Sequence, residues 1–329
     1  MVLACGDPPP VPKPYAAAVA DLPSYVLDPY AAQTSLVRPS DRSVLLIGTG
    51  LTMVDVAVAA AAGNPKLQLL AISRHGLLPA SQQPPPLASV DPQVDLCGQL
   101  DGRSLRRVVP AVRRLAQDLQ HRGGDWREAV LRIRECAPAL WQQFNEADRR
   151  RFLRHLRVYW DTHRHRMPPA VAEQVSGMRR RDQLQVRAGH VSALRPQADG
   201  IAVRWRARGC ADMRELRVDR VIDCSGSDHR LLRTGAVLWR QLLDAGLVVP
   251  DSLGLGLRTG AQGALVAADG RTATRLFYLG PMLRAAHWEA TAVGELRVRA
   301  EALAAALANH TVRESSHDTR LIDSERLLV

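Results

Sequence analysis

The stretch Ser43-Val44-Leu45-Leu46-Ile47-Gly48-Thr49-Gly50-Leu51-Thr52-Met53-Val54-Asp55 decides the fold. Val44 to Ile47 is an unbroken aliphatic run, as a strand buried on both faces of a parallel sheet requires. Gly48 permits the tight turn that follows. Gly50 lets the backbone approach a pyrophosphate, which then rests on the positive end of an Ala/Val-rich helix predicted over Thr52 to Ala62. Gly63-Asn64-Pro65 stops that helix, and Leu67 to Ile72 reads as a second strand. A lone G-x-G is a weak signal. Between a strand and a helix, inside one βαβ unit, it marks a nucleotide turn made by Gly48, Thr49, Gly50, Leu51 and Thr52. The usual third glycine is Met53 here, so strand and helix cannot approach as closely at that point.

The second strand runs into Ser73-Arg74-His75. An NAD site usually places an acid about there for the ribose 2′-hydroxyl, whereas an NADP site uses Arg or similar residues on the 2′-phosphate. Ser73 and Arg74 therefore favour NADP(H), with His75 as a helper, over a reading of Arg74 as one more surface charge. Asp55 lies inside the helix, too early to be the ribose acid, and is expected to make a local contact.

Outward from this unit, Pro8 to Pro39 predicts little regular structure and reads as a connector. Pro84-Pro85-Pro86 marks a loop. Val108, Val112, Leu115 and Leu119 begin a helical spacing of apolar residues that continues to Tyr159, predicting a helical insertion with basic outer faces. Strands are expected at Gln183 to Val191, Ile201 to Ala207 and Leu216 to Asp223, the last running into Cys224-Ser225-Gly226. Two more flank the Ala268-Asp269-Gly270 turn between Ala264 and Leu279. Thr291 to Leu307 is an Ala-rich helix, followed by a polar tail from Asn309. At the start, Val2-Leu3-Ala4-Cys5-Gly6 reads as a short buried strand. Either it pairs with segments from much later in the chain, or the chain is a fragment.

The 329 residues give room for two domains with full cores. Hydrophobic content of 46% with 23% charge is globular, and an aromatic fraction of 4% leaves the cores to Leu, Val and Ala. The formal net charge is +11, yet Lys occurs only at Lys13 and Lys66, so nearly all of it is Arg. No stacking-aromatic groove or recognised binding motif accompanies that charge, so no nucleic-acid partner is expected and the arginines read as solvated helix faces. No apolar run reaches the roughly 18 residues of a membrane span. Five cysteines without a C-x-x-C pair read as reduced, mostly buried thiols of a cytoplasmic protein. Val2-Leu3-Ala4-Cys5 mimics a lipoprotein cleavage box, but only Met1 precedes it.

Other constellations point to less. His155, His163 and His165 gather near Asp161, but metal ligation needs three or four converging ligands, so no metal is expected. Arg164 and Arg166 are candidates for contact with an anionic substrate. Glu289 could cap the last helix or approach a cofactor. No G-x-S-x-G elbow or P-loop occurs, Cys224 is expected to pack, and no catalytic side chain is assigned.

Jointly, several segments resemble a bacterial family of FAD/NAD(P)-binding proteins related in fold to flavin-dependent N-hydroxylases and disulfide-reductase-like flavoproteins. They are Leu3-Ala4-Cys5-Gly6, Leu46 to Asp55, Ser73-Arg74-His75-Gly76-Leu77-Leu78-Pro79 and Trp160-Asp161-Thr162-His163-Arg164-His165-Arg166-Met167-Pro168-Pro169. Asp223-Cys224-Ser225-Gly226, Leu279-Gly280-Pro281 and Trp288-Glu289-Ala290-Thr291-Ala292-Val293 complete the set, in the family's order.

The resemblance implies an α/β, two-dinucleotide-binding (Rossmann-like) flavoprotein fold, with the NAD(P) domain inserted in a truncated FAD domain. By it the chain leaves the FAD domain at Leu3 to Gly6, returns at Cys224 to Gly226, and passes the flavin between Tyr278 and Thr291. Gly6, Gly226, Gly280, Pro281, Trp288, Glu289 and Thr291 are the residues this assigns to the cofactors. The family begins with an FAD-binding βαβ unit carrying its own G-x-G-x-x-G, and this sequence starts after it. The expected organisation is a remnant and connector at 1–40 and an NAD(P) domain at 41–226, with its helical insertion at about 101–170. The C-terminal part of an FAD domain would follow at 227–310, with a loose tail at 311–329. The expected activity is NADPH-to-flavin oxidoreduction, monooxygenase-like, on an unnamed small molecule. The alternative is a catalytically silent nucleotide-binding protein or partner subunit. FAD is implied by the resemblance alone, and a partner supplying the missing FAD-binding segment is a further expectation.

Overall fold

A computed structural model of the chain describes residues 1–31, 36–82, 95–233 and 236–308. In chain order its strands are β1 (Val2–Leu3), β2 (Tyr25–Val26), β3 (Ser43–Ile47), β4 (Gln68–Ser73) and β5 (Leu184–Gln197). They continue as β6 (Gly200–Ala207), β7 (Met213–Val218), β8 (Arg220–Asp223), β9 (Ala264–Val266) and β10 (Thr272–Tyr278). The chain divides into two units. The first holds residues 1–9, 137–142 and 228 onward, and the second holds 10–136 and 143–227.

The second unit is built on a seven-stranded sheet of order β2-β8-β3-β4-β5-β6-β7. Pairing is parallel from β2 through β5 and antiparallel along β5, β6 and β7. The aliphatic run of β3 is buried from Val44 to Ile47, as its place between β8 and β4 demands. One face of the sheet is covered by the helices Leu51–Gly63 and Pro169–Arg180, which bury Met53, Val54, Ala57, Val175 and Met178 with Leu46 and Ala71. On the other face Ile201, Val203 and Trp205 of the meander pack with Leu45, Ile47, Val221 and Tyr25. Period-two alternation along β6 sends its odd-numbered residues inward and its even-numbered ones outward.

Four details differ from the sequence reading. The Pro8–Pro39 connector contributes a 3-10 helix, Pro14–Val19, and the sheet's edge strand β2, whose register is Tyr25 with Val221 and Val26 with Ile222. Leu216 to Asp223 is two strands, β7 and β8. The chain turns between them because the Asp219 carboxylate accepts the Arg42 and Ser43 amides at 2.7 and 2.8 Å. Five reduced, mostly buried cysteines are also corrected: Cys97 and Cys136 form a disulfide, Cys5 and Cys210 are exposed, and only Cys224 is a buried thiol. The two bonded cysteines are 39 residues apart, so what joins them is the meeting of helices Leu96–Leu100 and Arg127–Gln143, which no local spacing reveals. Finally, β1 is only two residues long with Val2 exposed, and it finds its partner late in the chain, parallel to β10.

The helical region runs through Leu105–His121, Arg127–Gln143, Glu146–Arg151, a π-helical turn at Phe152–Leu156 and Arg157–Arg164. In the first unit β1, β10 and β9 form a three-stranded sheet. Its core joins Tyr278, Met282 and Leu283 to Trp239 and Leu242 of helix Val237–Asp244. Residues 293–308 are helical. No helix among the described residues is long and apolar enough to cross a membrane.

Candidate nucleotide site

In the second unit the C-terminal ends of β8, β3 and β4 lie side by side, with Ile47 registered against Asp223 and Ile72. The Gly48 amide donates to the Ile72 carbonyl at 2.8 Å, closing the turn over β4. Gly48 has φ 116°, and a Cβ there would stand 2.5 Å from the Cys224 carbonyl oxygen, so β8 leaves no room for a side chain. Gly50 differs. It is the N-cap of helix Leu51–Gly63, provides no side-chain cap, and has nothing within 4 Å of where a Cβ would be. The helix N-terminus at Leu51 and Thr52 therefore receives no cap from its own N-cap residue and presents the positive end of a helix.

Thr49 is buried and ties two turns together. Its hydroxyl donates to the Leu77 carbonyl at 2.6 Å and lies 2.8 Å from the Ser73 hydroxyl, which also accepts the Gly76 amide. Ser73 thus holds the loop after β4 in shape. Gly76, at φ 61°, packs against the Ala188 backbone. Beside this loop Arg74 is exposed, and the Arg208 guanidinium reaches the His75 ring nitrogen Nδ1 at 3.0 Å. Burial, then Arg208 and Arg74, push the His75 pKa below its ordinary value. Arg208 thus sets a cationic group beside His75, with Arg74 its neighbour in the chain. Sequence reasoning missed Arg208: it lies 133 residues from His75, in the turn after β6, and no local pattern links them. Asp55 accepts the Tyr30 hydroxyl at 2.9 Å, and its role is structural.

At the end of β8, buried Asp223 accepts the Tyr25 hydroxyl at 3.2 Å and the Ser225 amide at 2.9 Å. It shapes the Cys224-Ser225-Gly226 turn that packs on Gly48. Gly226 has φ 81° with open space at its Cβ position, and burial pushes the Cys224 thiol up, so it is a packing group.

The remaining residues assigned by resemblance belong to the first unit. The Gly6 carbonyl accepts the Tyr278 hydroxyl at 3.1 Å, and a Cβ on Gly280 would lie 2.5 Å from that same hydroxyl. Pro281 opens the 3-10 turn Pro281–Ala285. The Trp288 ring lies 4.7 Å from that of Trp141 on one contact and 4.0 Å from the Arg284 guanidinium on another. Trp141 Nε1 donates to the Ala285 carbonyl at 2.9 Å. Glu289 is buried, and its backbone carbonyl accepts the Ala292 amide. Thr291 is an exposed turn residue, since the helix begins at 293. Gly6, Gly280 and Trp288 are thus each in contact with other residues of the first unit. Among the described residues no group of His, Cys, Asp and Glu is arranged to hold a metal.

No family model and no curated protein matches the sequence. Solved structures do match the fold. An ornithine hydroxylase from Pseudomonas aeruginosa aligns with a TM-score of 0.57 and 16% identity over 94% of this chain and 62% of that one. Kutzneria sp. 744 ornithine N-hydroxylase, determined with reduced FAD, NADP+ and L-ornithine, aligns at 0.56 and 16% over 94% and 63%. An L-lysine 6-monooxygenase from Pseudomonas syringae aligns at 0.53 and 17%, over 94% and 63%. The chain has the α/β two-dinucleotide-binding flavoprotein fold of these enzymes and spans just under two thirds of their length.

Proposed function

We infer that the second unit binds NADP(H), in the service of a flavin-dependent, monooxygenase-like oxidoreductase. The observation that carries this is the pairing of an uncapped helix N-terminus at Gly50 with the Arg74-His75-Arg208 cluster beyond β4. The first suits a pyrophosphate and the second a 2′-phosphate. The likeness to hydroxylases, one of them holding FAD and NADP+, supports the same reading. FAD, where bound, supplies hydride acceptance and oxygen activation. The described residues of this chain supply the nicotinamide nucleotide's place: Gly48 shapes the turn, Gly50 opens the backbone, and Arg208 and Arg74 neutralise phosphate charge.

A second reading, a nucleotide-binding protein without turnover, is favoured by one observation: Gly6, Gly280 and Trp288 are held by intramolecular contacts. Calorimetric titration with NADPH, NADH and FAD separates the outcomes. NADPH binding tighter than NADH is expected. Uptake of FAD with a bound-flavin spectrum supports the oxidoreductase. NADPH binding without flavin uptake supports the silent protein, and absence of NADPH binding overturns both.

A further inference from the structure

Strand β6 carries Arg204 and Arg206 on its outward face, alternating with buried Val203 and Trp205. Arg208 continues the alternation in the turn beyond, where it meets His75 at the nucleotide site. At about 3.3 Å of rise per residue, the three arginine positions form a row with steps of about 7 Å. The row begins at the 2′-phosphate end of the site and runs away from it over the meander's outer surface.

Neighbouring strands modulate this charge. Arg206 stands opposite His190 of β5 and Met213 of β7, whereas Arg204 stands opposite Ala193 and Glu215. Arg217, on the same face, is paired with Asp199 at 3.5 Å. Among the described residues, the side chains of Arg204 and Arg206 have no ion-pair partner. The unspent charge therefore concentrates at Arg206 and, reduced by Glu215, at Arg204. Exposed arginines of this kind add little to stability. Their position is informative, because the row ends on the group that would receive the phosphate.

We propose that Arg206 and Arg204 are a cationic guide that speeds arrival of NADPH, through its extra phosphate, without touching the bound nucleotide. This rests on the NADP(H) reading of the site. A one-signed row beside a binding site raises association rates by focusing the field, and salt removes the effect. The screening length sets which arginine counts: about 10 Å at 0.1 M salt and about 30 Å at 0.01 M. Arg206, about 7 Å from Arg208, acts at both ionic strengths, whereas Arg204, about 13 Å away, acts only at the lower.

Stopped-flow binding of NADPH and NADH to the full chain tests this, using wild type, R206Q, R204Q, the double variant and R206K. At 0.01 M salt the double variant should associate with NADPH about three- to tenfold more slowly, with its dissociation rate unchanged. At 0.1 M only R206Q should matter, NADH should be affected less, and R206K should keep the wild-type rate. All positions are exposed, and equal melting temperatures check the fold. An unchanged association rate at 0.01 M, an equal loss for NADH, or a loss residing in dissociation overturns the guide. A wild-type protein that binds no NADPH in calorimetry overturns the site reading itself, whereas normal binding with normally associating variants refutes the guide alone.

Discussion

The carbonyl oxygen of Cys224 lies 2.5 Å from the point a Cβ on residue 48 would occupy. The first glycine of the turn is thus required by β8, whereas the second, Gly50, faces open space. The two glycines should separate experimentally. G48A forces a side chain into backbone at a φ of 116° and should cost about 1–3 kcal/mol in urea unfolding. G50A, at φ −82°, should leave stability near wild type and weaken NADPH binding. Equal stability losses in the two variants would contradict this division.

Arg208 should discriminate between dinucleotides. Removing a charged hydrogen bond of about 1.5–3 kcal/mol corresponds to roughly a ten- to hundredfold loss, so R208A should weaken NADPH by that factor and leave NADH near wild type. The same change relieves one cause of the lowered His75 pKa. In an NMR titration without ligand, the His75 ring should titrate at higher pH in R208A.

Arg220 and Asp41 form a buried pair at 2.9 Å, with side-chain exposures of 3% and 5%. Asp41 also accepts the Arg38 amide, and Arg220 donates to the Pro23 carbonyl at 3.1 Å. Breaking one side strands a charge, so R220M should lose about 3–5 kcal/mol. The double variant D41L/R220M should lose less than the sum of the single changes. Additive losses in chemical denaturation would show the two residues to be uncoupled.

His287 sets an acid limit on stability. Burial, and secondarily Arg299, hold its pKa at about 4, and Gln142 meets its ring at 3.3 Å. Below the ordinary histidine value of about 6.5 the unfolded chain takes up a proton that the folded chain refuses. Stability from this group is therefore complete above about pH 6.5 and declines as pH falls toward 4. H287Q should show a flatter dependence of urea midpoint on pH within that window. An unchanged slope would remove His287 as its source.

Sequence alone determined the nucleotide turn's local frame. Strand β3, the glycine turn, the helix beginning at Leu51 and the return strand β4 follow from aliphatic runs, backbone freedom and helix stops within some thirty residues. Each of those forces acts between near neighbours, so each leaves a local pattern. The tertiary structure decided the rest. It placed β8 against Gly48, drew β2 out of a proline-rich stretch, joined Cys97 to Cys136, and brought Arg208 to His75. It also set Trp141 against Trp288 and Tyr278 against Gly6 and Gly280. These relationships join segments far apart in the chain. Sheet order and packing create them, and residue spacing carries no trace of either.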